Sequence, residues 1–166
     1  MRMLRKIASA IASAAMVAMF IPAVAAPSNA WAEGGIITSN TTSWTDGTYV
    51  ADGNNGSVKI SSRVTVSGNV ILLLKNGADL HASINIPENA SLTIRAEPSD
   101  ISTMGKLQAS GAGNGNAAIG GNKEEAGGSL VIEGGNITAE SSGGAAGIGS
   151  GHSASFGDIS ISGGIV

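Results

Sequence analysis

The C-terminal part of the chain contains two copies of one segment, and corresponding residues lie 29 positions apart. Residues 117–137 (AAIGGNKEEAGGSLVIEGGNI) recur as residues 145–166 (AAGIGSGHSASFGDISISGGIV). The matched positions are three apolar pairs and one pair of glycine doublets: Ile119 with Ile148, Leu130 with Ile159, Ile132 with Ile161, and Gly134-Gly135 with Gly163-Gly164. A fixed period in this range is typical of stacked repeat units and not of a conventional globular core.

A second repeat, with a spacing of 20 residues, precedes the first. Residues 64–74 (VTVSGNVILLL) align without a gap on residues 84–94 (INIPENASLTI). Each copy contains two short apolar-polar-apolar units, and this period of two predicts β-strands. Asn69 and Asn89 take the same place between the units, where a residue that tolerates a left-handed backbone would turn the chain. Short strands separated by corners predict a β-solenoid.

In such a solenoid, each strand pairs in parallel with its equivalent one turn further on, about 4.8 Å away. Glycine and asparagine form the corners, because they reach a positive φ at low steric cost. The residues expected to fill the interior are Leu130, Ile132, Ile137, Ile159 and Ile161. The residues expected to face outward are Val131, Glu133, Thr138, Ser160 and Ser162.

Two stretches rich in small residues, GAGNGNAAIGGN and SSGGAAGIGSGH, allow two interpretations. Gly- and Ser-rich segments are often flexible linkers. A linker has no reason to keep one isoleucine in the same place, yet Ile119 and Ile148 correspond. Burying such a side chain contributes about 1.5 to 3 kcal/mol, enough to hold a tight loop against a core. We therefore predict packed loops.

The first 32 residues have the pattern of a secretory signal peptide. Arg2, Arg5 and Lys6 precede an uncharged run over residues 7–21, and a region of small residues ends in Ala-Trp-Ala at residues 30–32. The run of 15 residues is shorter than the roughly 20 that a membrane span needs. We predict cleavage before Glu33 and no membrane insertion afterwards, with an uncleaved anchor as the alternative.

Composition excludes several classes of partner for the mature chain. Of nine Lys and Arg residues, three lie in the signal peptide, whereas all 12 Asp and Glu residues follow it, so residues 33–166 carry a net charge of −6. An acidic chain with few aromatic residues is a poor candidate for nucleic-acid binding, which depends on phosphate neutralisation. Because the chain contains no cysteine, it forms neither disulfides nor thiolate metal sites.

Residues 33–58 differ in composition from the repeats over residues 59–166. They contain Trp44 and Tyr49, and Asp46-Gly47 between them is typical of a hairpin turn. We predict a small N-terminal capping hairpin that covers the first open turn, since solenoids need such caps. The alternative is a glycan-binding site formed by the two rings.

The other end of the sequence has no recognisable cap. Residues 163–166 match residues 134–137, so the sequence stops where a new turn begins. An open last turn would expose unpaired strand groups and apolar side chains. We therefore expect either a fragment of a longer repeat protein, with further domains downstream, or another subunit that covers this end.

The runs GGSLVIEGGNITAESSGGAAGIGSG and ENASLTI resemble the Gly-rich repeats of bacterial secreted and cell-surface proteins, which are adhesin-like or described as carbohydrate-binding. The resemblance covers residues 64–166. It implies a right-handed parallel β-helix, a secreted or cell-surface location, and host or cell-wall glycans as partners. It supplies no catalytic motif that maps onto this chain.

Candidate catalytic and metal-binding residues are scattered in the sequence. His81 and His152 are isolated from each other and belong to no metal motif. Asp46 and Asp52 lie in a segment that lacks the spacing of a calcium loop, which favours plain turns. We predict no cofactor, no metal and no catalytic residues, hence a non-enzymatic spacer or adhesion module. The alternatives are a glycan-binding module using Trp44 and Tyr49, and the N-terminal part of a β-helix polysaccharide lyase or hydrolase.

Overall fold

A computed structural model describes residues 33–111 and 113–166, and these form an all-β structure. The predicted signal peptide lies outside the described residues. Within them, a short 3₁₀ helix covers Gly53–Asn55. The strands are β1 (Glu33–Ile36), β2 (Ser43–Trp44), β3 (Gly47–Ala51), β4 (Ser57–Lys59), β5 (Val64–Val66), β6 (Asn69–Leu74), β7 (Asp79–His81), β8 (Ile84–Asn85), β9 (Ser91–Ala96), β10 (Lys106–Ser110), β11 (Ile119–Gly120), β12 (Ser129–Ile132), β13 (Asn136–Glu140), β14 (Ile148–Gly149) and β15 (Ile159–Ile161).

The strands form three parallel sheets. The six-stranded sheet has the order β1-β3-β6-β9-β12-β15, the five-stranded sheet β2-β5-β8-β11-β14, and the four-stranded sheet β4-β7-β10-β13. From β5 onward, every strand pairs with the strand three positions earlier in the chain. Three consecutive strands, one from each sheet, are called a layer below. The predicted all-β, parallel architecture is therefore confirmed, and the topology is compatible with a β-solenoid.

The three sheets enclose one hydrophobic core. Along β6 and β9, buried and less buried residues alternate, as expected for strands with one face toward a core. In-register pairing places Leu72 next to Ile94 and Ile94 next to Ile132, so apolar side chains stack in continuous columns. All three side chains are fully buried. Each contributes about 1.5 to 3 kcal/mol through burial, which stabilises the stack.

The 29-residue repeat corresponds to direct strand pairing. Ile119 pairs with Ile148, and β12 pairs with β15 in the predicted register. Leu130, Ile132 and Ile137 are buried as predicted. Ile159 and Ile161 are 43% and 53% exposed, contrary to the prediction of an interior position. Both continue the inward columns, but β15 is the last strand of its sheet and no further layer lies over it in the described residues.

The 20-residue repeat predicts one pair of strands correctly and the next incorrectly. Val64 pairs with Ile84, at the predicted spacing. In the following strands Asn69 pairs with Ser91 instead of Asn89, a spacing of 22 residues. Two additional residues in the corner at residues 87–90 produce this difference. A shift of two residues keeps every side chain on the same face of a strand, so the apolar pattern alone does not reveal it.

The predicted N-terminal hairpin is not formed. Strands β2 and β3 lie in different sheets and pair in parallel with β5 and β6. The six-stranded and five-stranded sheets therefore extend into residues 33–58, and the four-stranded sheet begins at Ser57. An Asp-Gly turn suits a hairpin, but here the Asp46 carboxylate accepts a hydrogen bond from the backbone N–H of Asn69, at 2.6 Å. This contact ties the corner at Asp46 to the corner of the next layer.

The Gly-rich loop before β12 is packed, as predicted. Ile119 is fully buried, together with Ala117 and Ala118. Ile148, the matching residue in the next layer, is partly buried against the same core. The backbone N–H of Ile119 donates to the carbonyl of Gly147, which links the two loops. Both loops are thus parts of the stacked structure.

Candidate functional site

The described residues include a groove of about 590 Å³ along the outer face of the four-stranded sheet. The residues that line it include Ala82 and Ala109, which are otherwise buried in the core, together with several polar residues. Its polar lining includes Lys59, Arg63, His81, Gln108, Thr138 and Glu140. The groove thus combines apolar surface with polar side chains, and it crosses several strands.

Strand register determines how these side chains are spaced. Lys59 of β4 pairs with His81 of β7, His81 pairs with Gln108 of β10, and Gln108 pairs with Thr138 of β13. Neighbouring strands lie about 4.8 Å apart, so the four side chains form a row with that spacing. The alternate residues, such as Leu80 and Leu107, are buried in the core and hold the strands in place.

A hydrogen-bond network connects the middle of this row to Asp79. Gln108 Nε2 donates to Asp79 Oδ1 at 2.8 Å. His81 Nε2 lies 3.3 Å from both Asp79 Oδ2 and Gln108 Nε2. Partial burial raises the pKa of Asp79, but hydrogen bonds from Gln108, His81 and Ser57 outweigh it and hold the pKa below its ordinary value. Asp79 therefore orients two side chains of the groove.

The stability of the fold should depend on pH through Asp79. An aspartate with a depressed folded pKa stabilises the fold above its unfolded pKa of about 3.9 and loses this contribution as the pH falls through the folded pKa. In Asp79→Asn, the free energy of unfolding should decline less steeply below about pH 4 than in the unmodified chain. Urea unfolding of residues 33–166 over a pH series measures this.

Gln108→Ala is the matched control for that pH series. It keeps the Asp79 carboxylate but removes one hydrogen-bond donor, so its pH dependence should fall between those of the other two proteins. If the free energy of unfolding changed with pH in the same way in all three proteins, protonation of Asp79 would not be coupled to folding.

Arg63 forms one wall of the groove, and all five of its N–H donors are used. Its guanidinium lies beneath the loop that carries Ile119. The acceptors are Asn122 Oδ1 at 3.0 Å, Ser83 Oγ, the Ala117 carbonyl at 2.6 Å, the Gly120 carbonyl at 3.0 Å and the Gly121 carbonyl at 3.4 Å. Burial lowers the pKa of Arg63 to about 10, so the group still carries its charge at neutral pH. Arg63 fixes the loop and contributes positive charge to the groove.

The sequence offers no direct signal for Arg63 as a structural residue. Its backbone partners lie 54 to 58 residues further along the chain. A single arginine before a strand looks like ordinary surface charge, and only the stacking of layers brings it under the later loop. The sequence gives no local pattern for the row Lys59, His81, Gln108 and Thr138 either, because these residues belong to four separate strands.

The two aromatic residues predicted as a glycan site lie in the core. Trp44 is fully buried and Tyr49 is 6% exposed. Their rings stack with centroids 5.5 Å apart and an interplanar angle of 24°. The Tyr49 hydroxyl accepts a hydrogen bond from the backbone N–H of Thr45 at 2.9 Å. Stacking on a sugar requires an exposed ring face, whereas these rings pack against each other and against the first layers.

The remaining charged candidates take ordinary structural positions. Arg95 pairs with Glu133, with Nε 2.6 Å from Oε2. Asp52 caps the 3₁₀ helix by accepting from the backbone N–H of Asn54, in agreement with the turn interpretation. His152 Nδ1 lies 2.9 Å from the Ser153 hydroxyl.

Across residues 33–111 and 113–166, no three His, Cys, Asp or Glu side chains form a cluster that could hold a metal ion. The same residues include no helix that could span a lipid bilayer.

The chemistry available in the groove is that of polar recognition. Lys59 supplies a cation, Gln108 and Thr138 supply neutral hydrogen-bonding groups, and Glu140 supplies a carboxylate at the far end. Their relative positions are set by strand pairing and not by flexible loops. Protein-family models, curated proteins and solved structures were all compared with the chain, and none of them matches it.

Proposed function

We propose that residues 33–166 form a right-handed parallel β-helix that serves as a non-enzymatic spacer or adhesion module in a secreted or surface-displayed bacterial protein. The observation that carries this proposal is the parallel pairing of each strand from β5 onward with the strand three positions earlier, around one continuous apolar core. The signal-peptide pattern of residues 1–32 supports export.

Rigidity would be the physical basis of such a function. Roughly five layers at about 4.8 Å per layer give a stack on the order of 25 Å tall. Because every inner strand is hydrogen-bonded on both sides, bending the stack would break backbone hydrogen bonds in several sheets at once. A stiff support of this kind presents the side chains on its outer faces at constant spacing. Host or cell-wall glycans are the partners that we propose for these faces.

A folding experiment tests the architecture. Residues 33–166, expressed without the first 32 residues, should show β-type circular dichroism and one cooperative thermal transition. Hydrogen exchange should protect the amides of β6 and β9 most strongly, because these strands lie at the centre of the six-stranded sheet. A random-coil spectrum would contradict the proposal.

A second experiment tests export and adhesion. The full chain should be cleaved before Glu33 in a bacterial host, as measured by mass spectrometry of the secreted protein. Beads coated with residues 33–166 should bind bacterial wall or host-cell preparations, and heat-denatured protein should not. Retention of the uncleaved chain, or equal binding by denatured protein, would oppose this part of the proposal.

A further inference from the structure

The groove on the four-stranded sheet concentrates positive charge on an acidic protein. Residues 33–166 contain six basic and 12 acidic residues. Two of the six basic residues, Lys59 and Arg63, line the groove, and the acidic residue Glu140 lines its far end, so the lining carries a net charge of +1 with His81 neutral. A third, Lys106, is exposed on the same sheet, in register with Asp79. Charges more than about 10 Å away are largely screened at 0.1 M salt, so a ligand in the groove responds mainly to these local groups.

Some cations of the described residues form ion pairs, whereas others, including Lys75 and Lys106 outside the groove, form none within 4.0 Å. Arg95 and Lys123 form ion pairs with Glu133 and Glu124. In the described part of the chain, no ion pair within 4.0 Å involves Lys59. Arg63 donates to neutral acceptors, so its positive charge is not cancelled by a carboxylate. The groove therefore keeps a positive potential at the Lys59 and Arg63 end.

We infer that this groove is a binding site for a linear anionic polysaccharide, with a carboxylate of the sugar chain at Lys59. The remaining polar groups would bind sugar hydroxyls: the amide of Gln108 and the hydroxyls of Ser110 and Thr138 follow Lys59 across the sheet. Asp79 holds Gln108 in place for this role through the 2.8 Å hydrogen bond. The inference rests on the adhesion part of the proposed function and names its ligand class.

The geometry favours a saccharide over an acidic peptide. Extended peptides commonly bind by adding a strand to an open sheet edge. The two central strands along the groove, β7 and β10, are paired with strands on both sides, and only β4 and β13 are outer strands of this sheet in the described residues. Their backbone groups are used within the sheet, which leaves side chains for recognition. A chain of hydroxyl-rich units can use such side chains, and the row offers a new polar residue about every 4.8 Å.

Binding measurements with defined polymers test the inference. Polygalacturonate carries a carboxylate on each sugar, dextran is a neutral polysaccharide, and poly-glutamate is an acidic peptide. Isothermal titration calorimetry on residues 33–166 at about 0.1 M salt, where distant charges are screened, should show binding to polygalacturonate and none to dextran. Lys59→Gln should weaken this binding about tenfold, the effect expected when one charge-assisted hydrogen bond is lost.

Lys75→Gln is the matched control, because it removes the same charge outside the groove. It should bind polygalacturonate as tightly as the unmodified chain. Equal weakening by both substitutions would indicate a general charge effect and overturn the inference, as would the absence of polygalacturonate binding. Tighter binding of poly-glutamate would reassign the groove to acidic peptides. Circular dichroism of the same samples separates these results from a failure of the fold, which would instead contradict the proposed architecture.

Discussion

Arg63→Ala should lower the free energy of unfolding of residues 33–166 by about 3 kcal/mol or more, because several buried acceptors lose their donor together. The carbonyls of Ala117, Gly120 and Gly121 belong to buried residues, so water does not readily replace the guanidinium. Hydrogen bonds to charged groups contribute about 1.5 to 3 kcal/mol each, and they are not additive within one network. Urea unfolding followed by circular dichroism measures the loss.

Arg63→Lys separates charge from geometry in this experiment. A lysine keeps the positive charge, but its three donors radiate from one atom and do not match five acceptors spread around a planar guanidinium. It should recover less than half of the stability lost in Arg63→Ala. Full recovery by lysine would show that charge alone matters, and an unchanged Arg63→Ala protein would show that the loop holds itself in place.

Gly120→Ala should destabilise the fold by about 3 kcal/mol or more, through a clash and a strained backbone together. Gly120 has φ +139°, a region that L side chains rarely adopt, and an added Cβ would overlap the carbonyl oxygen of Gly149 in the next layer. That oxygen accepts the hydrogen bond of the Gly121 N–H at 2.9 Å. The substitution would therefore force apart the two Gly-rich loops at the point where they stack.

The neighbouring glycine provides a control of the same size. At Gly121 an added Cβ has its nearest neighbours at 3.5 Å, an ordinary contact distance, and φ is not positive. Gly121→Ala should change the free energy of unfolding by less than about 1 kcal/mol. Thermal melts of both variants measure this difference: the melting temperature should fall clearly in Gly120→Ala and little in Gly121→Ala. Similar melts would indicate that the loops tolerate separation at Gly120, so that their stacking is not required for stability.

Repeat spacing predicted much of the strand pairing, because each strand pairs with the corresponding strand of the adjacent layer. The match of Ile119 with Ile148 translates directly into adjacent strands β11 and β14. The same reasoning failed at Asn69 and Asn89, where a corner longer by two residues left the inward and outward pattern unchanged. Apolar periodicity determines which face of a strand is buried. It does not distinguish two registers that differ by two residues, because both place the same side chains on the buried face.

The candidate site was harder to predict than the fold. Trp44 and Tyr49 stood out because aromatic residues are rare in this chain, yet aromatic rings serve core packing as readily as ligand binding. Their burial depends on the layers that follow them, which a local pattern does not show. Lys59, His81, Gln108 and Thr138 looked like unrelated polar residues, because 79 positions separate the first from the last.

The sequence by itself determined the all-β class, the parallel stacking of the last repeats and the packed Gly-rich loops. These features depend on the alternation of side chains and on repeat length, both of which are local or periodic properties of the chain. Only the tertiary structure decided the register of β6 with β9, the parallel arrangement at Trp44, the role of Arg63 and the composition of the groove. Each of these depends on which layers lie beside one another, since stacking brings together residues that are 20 to 60 positions apart in the chain.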